Sequence, residues 1–421
     1  MEFSRYNIYV DGFRGKPQYL VFNALTGGTV VLPSGPNGPD LKSLSPQDIA
    51  KLFDMLILVP PSLSQREIAE YYMYKNRYAH RDVVATVFTT RRCNLACTYC
   101  YERESEANVP TGDMTEGTAR GVVDWLIRYS EARNSNALHL QFYGGEPLVN
   151  SACIAQIGQS LAEYCARHNI RFYTYMITNA TLLDNAAVEV LRKLNLTQVQ
   201  ITLDGPARVH DTRRRTSGGA GSFNATMLGL RNVAAIASVC IRVNVDHDNI
   251  DYVRELLDYL NSEGLATRRN VFYVSNVYDC DAGVCRINPL AWSATIPEII
   301  KEARTLGFRA RNPFKLSPCF GVREGSFTFD VDGSVYTCTQ LAEYPNTRIG
   351  HIGIARFEAP YYDLLLSRPS EDQCYECPYF PLCLGGCRAA AVRRSGDLLS
   401  RICGKQGYDE VIPATLRAIY E

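Results

Sequence analysis

Between residues 83 and 275 the chain alternates six strand-like runs with helical patterns, and this alternation constrains the fold more than any other feature. The runs are VVATVFTT, LHLQFYG, FYTYMIT, VQITLDG, CIRVNVD and VFYVSN. Between them lie patterns such as TARGVVDWLIRYSEA, ACIAQIGQSLAEYCARH and NAAVEVLRKL. Strands separated by helices imply βαβ units and a parallel sheet. The expectation is an α/β fold, a partial (β/α)6 barrel over residues 83–305. In such barrels chemistry sits at the C-terminal ends of the strands. Four unusual loops fall there: Cys93–Cys100 after the first strand, Gly144–Pro147 after the second, Thr178–Asn179 after the third, and Asp204–Gly205 after the fourth.

The flanking segments differ from this one, as expected for 421 residues, a length that suits two or three domains. In residues 1–80, NIYV, QYLVFNAL and GGTVVLPSG read as a small antiparallel sheet, and SPQDIAKLF and LSQREIAEYY as capped helices. This predicts a small α+β N-terminal domain for packing or recognition. Residues 310–421 are rich in Cys, Gly and Pro and poor in long periodic segments, so they need staples such as metal centres. Lys+Arg and Asp+Glu are equal at 44 each, which gives no electrostatic reason to expect nucleic acid or an anionic membrane as a partner. The start, MEFSRYNIYVDG, has no export pattern. The most apolar stretch, around LFDMLILVPP, is far shorter than the ~20 residues that span a bilayer. A cytoplasmic protein is expected.

Fifteen cysteines are unusual for a cytosolic chain of this size, where thiols are kept reduced. Metal binding or redox chemistry is the better expectation. In RRCNLACTYCYE, Cys93, Cys97 and Cys100 share one loop. Three thiolates can hold three irons of a cubane cluster and leave the fourth iron open. A structural zinc would want four ligands, and no fourth Cys or His follows nearby.

This spacing resembles the radical S-adenosylmethionine superfamily, whose signature is CxxxCxxC with an aromatic residue, here Tyr99, before the third Cys. The resemblance implies a [4Fe–4S] cluster whose open iron holds the amino and carboxylate groups of S-adenosylmethionine. Electron transfer then cleaves a C–S bond and delivers a 5′-deoxyadenosyl radical that abstracts hydrogen. Gly144-Gly145-Glu146-Pro147 is similar to the family's glycine-rich segment that contacts the cofactor's amino group. There the glycines let carbonyls approach, and Glu146 offers a counter-charge. Thr178, Asn179 and Thr202 are similar to positions that hold the ribose and carboxylate. LDGPARVHDTRR is similar to the family's DGP…HDxxR run. That match makes Arg214 the carboxylate partner, since guanidinium suits bidentate carboxylate binding; Arg213 and Arg215 are adjacent cations. Asn244 and Val245, after the fifth strand, are placed near the adenosine.

The C-terminal third contains Cys319, Gly333-x4-Cys338, Cys374-x2-Cys377-x5-Cys383-x3-Cys387 and Cys403. Seven thiols exceed what one tetrahedral metal needs, though two zinc sites would also use them. Their order is similar to the SPASM extension of radical S-adenosylmethionine enzymes, which carries two auxiliary [4Fe–4S] clusters and so implies three clusters in all. By that resemblance Cys374, Cys377, Cys383 and Cys403 ligate one auxiliary cluster, and Cys319, Cys338 and Cys387 the other. The second set lacks a fourth thiolate: its iron is open, or a carboxylate, water, Cys280 or Cys285 completes it. Cys153, Cys165 and Cys240 read as small buried hydrophobes.

The resemblance covers roughly residues 83–410 and includes both peptide maturases and anaerobic sulfatase-maturating enzymes. The latter begin close to the first cysteine motif and carry an Asp just after the Cys matching Cys338. Here Thr339 and then Gln340 stand there, and about ninety residues precede Cys93. The N-terminal unit resembles the leader-peptide recognition element of ribosomal-peptide maturases, which adds an extended peptide to a sheet edge; NIYV or VFNAL would supply the edge. The implied function is maturation of a ribosomally made precursor peptide by a thioether or C–C crosslink, or by backbone excision or rearrangement. The implied partners are that precursor (leader plus core), an electron donor such as flavodoxin or ferredoxin, and a separate recognition protein. A sulfatase maturase and a non-catalytic metal-binding protein that binds peptides are the competing readings. No general acid or base stands out.

Overall fold

The computed structural model describes residues 1–103, 109–279, 284–310, 319–354, 356–367 and 372–421. Six strands lie side by side in chain order: Asp82–Thr90 (β1), Ala137–Gly144 (β2), Arg171–Thr178 (β3), Leu196–Thr202 (β4), Ser238–Val245 (β5) and Val271–Asn276 (β6). Every neighbouring pair is parallel. Helices Glu116–Ala132 (α1), Ser151–Arg167 (α2), Asn185–Lys193 (α3), Phe223–Ala234 (α4) and Val253–Ser262 (α5) return the chain between them. Three of these starts are written locally. Thr115, Asn150 and Asp184 each accept a backbone N–H of the first turn, satisfying a donor the helix leaves open.

The strands alternate as a covered barrel wall requires. Val83, Ala85 and Val87 of β1 and Leu138, Leu140 and Phe142 of β2 are buried in the core that includes residues of α1 and α2. On the other face of β2 are His139, Gln141 and Tyr143, which line cavities inside the barrel. The sheet stays open, as expected of a partial barrel. It runs from Arg309–Ala310, parallel to β6, to Gly350–His351 at the far end.

The C-terminal region continues this sheet. Ser326–Phe329 adds parallel to β1, and Ser334–Tyr336 and Gly350–His351 follow antiparallel. Phe327 and Phe329 meet the Trp125 ring of α1 edge-on at 4.8 and 5.2 Å between centroids. The region is also less irregular than its composition suggests, because Lys405–Tyr420 forms a helix of 16 residues.

The N-terminal unit holds the expected antiparallel sheet, Asn7–Val10, Gln18–Asn23, Thr29–Gly35 and Gly38–Pro39 in that order. Its helices Pro46–Asp54 and Gln65–Tyr78 are capped by Ser45 and Ser64. NIYV is therefore an edge strand. VFNAL is not, because Val21–Asn23 lie in a strand paired on both sides. The unit closes one small core of its own, around Val21, Leu32, Leu52, Ile57 and Leu58, and shares two others with the C-terminal region. Ile8, Val10, Leu20 and Phe22 pack with Tyr379, Ile412 and Leu416, and Tyr6, Ala69 and Met73 with Tyr375 and Phe380. Among the described residues no helix is long and apolar enough to cross a membrane.

Candidate active site

The Gly144-Gly145-Glu146-Pro147 loop is pressed against the segment that leads into Cys93. Gly145 N donates to Thr90 O (3.1 Å) and Glu146 N to Arg92 O (2.9 Å). Gly144 has φ 142°, and a Cβ there would lie 2.1 Å from Thr90 O; at Gly145 it would lie 2.4 Å from Arg92 O. Any side chain would push the two loops apart. Glu146 is fully buried. Its carboxylate accepts from Thr178 Oγ1 (2.7 Å), Asn179 N (2.7 Å) and Leu148 N (3.2 Å). Burial raises its pKa and these three donors oppose the rise. Glu146 thus ties the end of β2 to the end of β3, with both oxygens used inside the protein.

Tyr99 performs the same task on the other side. Its hydroxyl donates to Asp204 and accepts from Arg214 Nη1 (2.8 Å) and Asn244 Nδ2 (3.2 Å). The Arg213 guanidinium lies 5.0 Å from its ring centroid. Asp204 is itself held by Asn244 N (3.0 Å). The cysteine loop is thereby moored to the ends of β4 and β5.

These loops surround a cavity of 370 Å³ at the C-terminal ends of the strands. Cys93, Cys97, Tyr99, Cys100, Gly144 and Gly145 line it from one side, and Thr178, Asn179, Thr202, Arg214 and Asn244 from the other. Three expected contacts lie elsewhere. Glu146 and Pro147 are buried behind the loop, and Val245 is in the hydrophobic core. Below this cavity lies a second of 670 Å³, and the two share Gln141, Ile177 and Gln200. Cys240, expected as a small core hydrophobe, lines the lower one. Cys153 and Cys165 are buried in the core as expected.

Other lining residues were not singled out from the sequence: Glu102, Gln141, Gln200, Arg242 and Arg393. A signal for some was present. Gln141, Gln200 and Arg242 each stand between two apolar residues of a strand, and period two puts them on the face opposite the core. Glu102, next to the cysteine loop, is pushed up to about 8, by burial first, with Arg91 opposing and Glu343 adding.

The thiols fall into three neighbourhoods. Cys93, Cys97 and Cys100 feel one another; withdrawal of the sulfurs from water pushes Cys93 up to about 11 and Cys100 up to about 12. Cys338 is pushed up to about 12, by burial first, with Cys319 and Cys387 adding to it. Cys383 is raised by burial, with Cys377 and Cys374 adjacent. Cys403 shares Tyr408 with Cys383 and Lys405 with Cys377. Cys280 lies outside the described residues, as does the side chain of Cys285. Among the described residues no group of three or more His, Cys, Asp or Glu side chains closes on a single metal-ion position. The first neighbourhood suits a metal–sulfur centre: the Cys93 and Cys100 thiols, kept protonated by burial, become thiolates when a cation replaces their protons. Beside it, Arg214 lines the cavity and its Nε is buried without a hydrogen-bond partner.

His210, of the DGP…HDxxR run, braces this wall from behind. Its Nδ1 accepts from Asp204 N (3.3 Å) and its Nε2 faces Ser222 Oγ (3.0 Å). Burial, aided by Arg214 and Arg213, pushes it down to about 3. The unfolded chain takes up this proton near pH 6.5 and the folded chain does not, so the imidazole's contribution to stability is lost as pH falls from about 6.5 toward 3, by up to roughly 1.4 kcal/mol per pH unit. Glu102 titrates in the opposite sense, so the effect is read as a difference. Thermal melts of the parent and of His210→Gln should converge as the pH is lowered from 7 to 4.5. A constant gap across that range would refute the assignment.

Comparisons with known proteins bear on the domain and its fold. The family model for the radical SAM superfamily matches residues 87–260, and the chain carries a radical SAM domain. An uncharacterized protein of Methanocaldococcus jannaschii is 30% identical over 177 residues, covering 42% of this chain; this chain spans 57% of that relative's length. The radical SAM cyclopropyl synthase TigE of Paramaledivibacter caminithermalis is 25% identical over 80% of this chain and 75% of its own. A cysteine-type anaerobic sulfatase-maturating enzyme of Clostridium perfringens is 23% identical over 76% of this chain and 92% of its own. Two solved structures share the fold. Native anSMEcpe with bound AdoMet and Kp18Cys peptide has a TM-score of 0.63 at 20% identity, over 80% of this chain and 98% of its own. Streptococcus suis SuiB bound to precursor peptide SuiA has a TM-score of 0.56 at 13% identity, over 96% of this chain and 98% of its own. The small N-terminal unit is included in the second of these coverages.

Proposed function

We propose that this chain is a radical SAM maturase of a ribosomally made precursor peptide. The observation that carries the reading is the pair of adjoining cavities. The upper one meets the Cys93–Cys100 loop, and the lower one shares Gln141, Ile177 and Gln200 with it. Cavities lined by amide and guanidinium side chains suit an extended chain rich in carbonyls and N–H groups. When bound, a [4Fe–4S] cluster and S-adenosylmethionine supply a 5′-deoxyadenosyl radical.

The chain's own residues divide the remaining work. Cys93, Cys97 and Cys100 hold the cluster. The Gly144 and Gly145 backbone, Thr178, Asn179, Thr202, Arg214 and Asn244 hold the cofactor, with Arg214 opposite its carboxylate. Residues 1–80 bind the leader, with Asn7–Val10 as the added edge; residues 83–305 position the core peptide; residues 310–421 carry two auxiliary clusters on Cys374, Cys377, Cys383 and Cys403 and on Cys319, Cys338 and Cys387. An electron donor such as flavodoxin or ferredoxin and a separate recognition protein complete the system. Hydrogen abstraction leads to a thioether or C–C crosslink, or to backbone excision or rearrangement.

Sulfatase maturation is the second reading, favoured by the Clostridium perfringens relative. Against it, Thr339 and Gln340 line the cavity beside Cys338, and neither side chain can act as a base. Deuterated peptides translated from short reading frames beside the gene decide between the two. Deuterium should appear in 5′-deoxyadenosine, and the peptide mass should change by the hydrogens or fragment lost. Transfer from a sulfatase-derived Cys or Ser peptide, and from none of the neighbouring ones, would replace the proposal with the second reading.

A further inference from the structure

Three of the auxiliary cysteines lie near a buried cation that hydrogen-bonds to no carboxylate and whose nearest acidic influence, Asp397, is exposed. Arg388 directly follows Cys387 and opens the helix Arg388–Ser395. It is 7% exposed. Its Nη2 donates to Gly385 O (2.7 Å) and Gly386 O (3.1 Å), its Nε to Gly386 O (3.3 Å), and its Nη1 to Leu399 O (3.3 Å) and Leu398 O (3.4 Å). Each of these acceptors is a neutral carbonyl. The charged group with most influence outside the cysteines is Asp397, which is exposed and caps Leu399 N. The ionisable groups closest in effect are the thiols of Cys387, Cys383 and Cys319, drawn from both auxiliary sets.

A second buried cation lies nearby. Arg77 is 1% exposed, donates to Leu365 O (2.9 Å) and Ser367 O (2.6 Å), and is close enough to Arg388 to be disfavoured by it. Burying one guanidinium without an anion is costly, and burying two that repel is more so. Neutral thiols offer no relief. Thiolates gathered on iron–sulfur cubanes carry net negative charge and do. We propose that Arg388 is the shared counter-cation of the two auxiliary centres and sets their reduction potential upward. This rests on the reading of the seven C-terminal cysteines as cluster ligands. Arg388 acts through the centres and not on substrate. The step it favours is uptake of one electron by a centre, with no bond made or broken. Charge and hydrogen bonding near the sulfurs are established determinants of such potentials.

The test uses the full-length protein reconstituted anaerobically, with iron and sulfide analysis and a potentiometric titration followed by electron paramagnetic resonance. At the potential where the auxiliary centres of the parent are half reduced, Arg388→Gln should show a reduced-to-oxidised ratio at least tenfold lower, which is about 59 mV for a one-electron couple. Arg388→Lys, which keeps the charge, should stay close to the parent. The cluster on Cys93, Cys97 and Cys100 should titrate unchanged in both and serves as the internal standard. A fully loaded Gln variant with an unmoved auxiliary midpoint overturns the proposal, and so does a Lys variant displaced as far as the Gln one. If the Gln variant fails to hold auxiliary iron, the Lys variant decides: retained iron at the parent midpoint upholds the charge, and loss of iron there too overturns it. A parent protein with only about four irons per chain would overturn the cluster reading itself, whatever Arg388 does.

Discussion

A variant with Cys93, Cys97 and Cys100 all replaced by alanine should fold, keep its auxiliary iron and lose about four of about twelve irons per chain. The reason is geometric. The three thiols form one neighbourhood and the seven C-terminal thiols form two others, with Cys319 and Cys387 felt by Cys338 and with Cys374 and Cys377 felt by Cys383. The cysteine loop is moored by other groups: Tyr99 to Asp204, Arg214 and Asn244, and Gly145 N to Thr90 O. Removing the sulfurs leaves those ties in place, so the barrel should melt within a few degrees of the parent protein. Loss of all iron, or none, would contradict the separation of the three centres.

Arg91→Ala should be among the most destabilising single substitutions in the chain, by about 3–5 kcal/mol. Arg91 stands at the end of β1, just ahead of Cys93. Its Nε and Nη2 donate to Asp330 Oδ1 (3.0 Å) and Oδ2 (2.7 Å), and its Nη1 to Glu343 (2.5 Å). Asp330 is 0% and Glu343 5% exposed. Deleting the guanidinium leaves two carboxylates buried without a cation and loosens the C-terminal hairpin from the strand that presents the cysteine loop. Differential scanning calorimetry of the parent, of Arg91→Ala and of Arg91→Met combined with Asp330→Asn and Glu343→Gln checks this. The triple variant should recover much of the loss, because no uncompensated charge remains. A single variant as stable as the parent would refute the account of this junction.

Much of the barrel was legible because its signals are local. Thr115, Asn150 and Asp184 mark helix starts next to the residues they cap. Each strand run carries its own period, and a loop's place after a strand follows from chain order alone. The six parallel strands and the convergence of the cysteine, glycine and Asn179 loops followed from that. Contacts set by distant partners were not legible. Nothing near Arg91 announces Asp330 or Glu343, which lie 239 and 252 residues away. Periodicity showed that NIYV and QYLVFNAL have apolar faces, but not that Tyr379, Ile412 and Leu416 cover them. Glu146 was expected to offer a counter-charge to a ligand because Gly144-Gly145-Glu146-Pro147 resembles the family's cofactor-contacting segment. Its position two residues past the end of β2 instead lets Thr178 and Asn179 N claim its oxygens.

The central claim is that the cavity beside Cys93, Cys97 and Cys100 turns S-adenosylmethionine into a radical source. Its most direct measurement is the reconstituted, chemically reduced protein incubated anaerobically with S-adenosylmethionine and assayed by chromatography and mass spectrometry. The account predicts 5′-deoxyadenosine and methionine in equal amounts, both absent from the triple alanine variant. Fully iron-loaded and reduced protein that releases neither would contradict it.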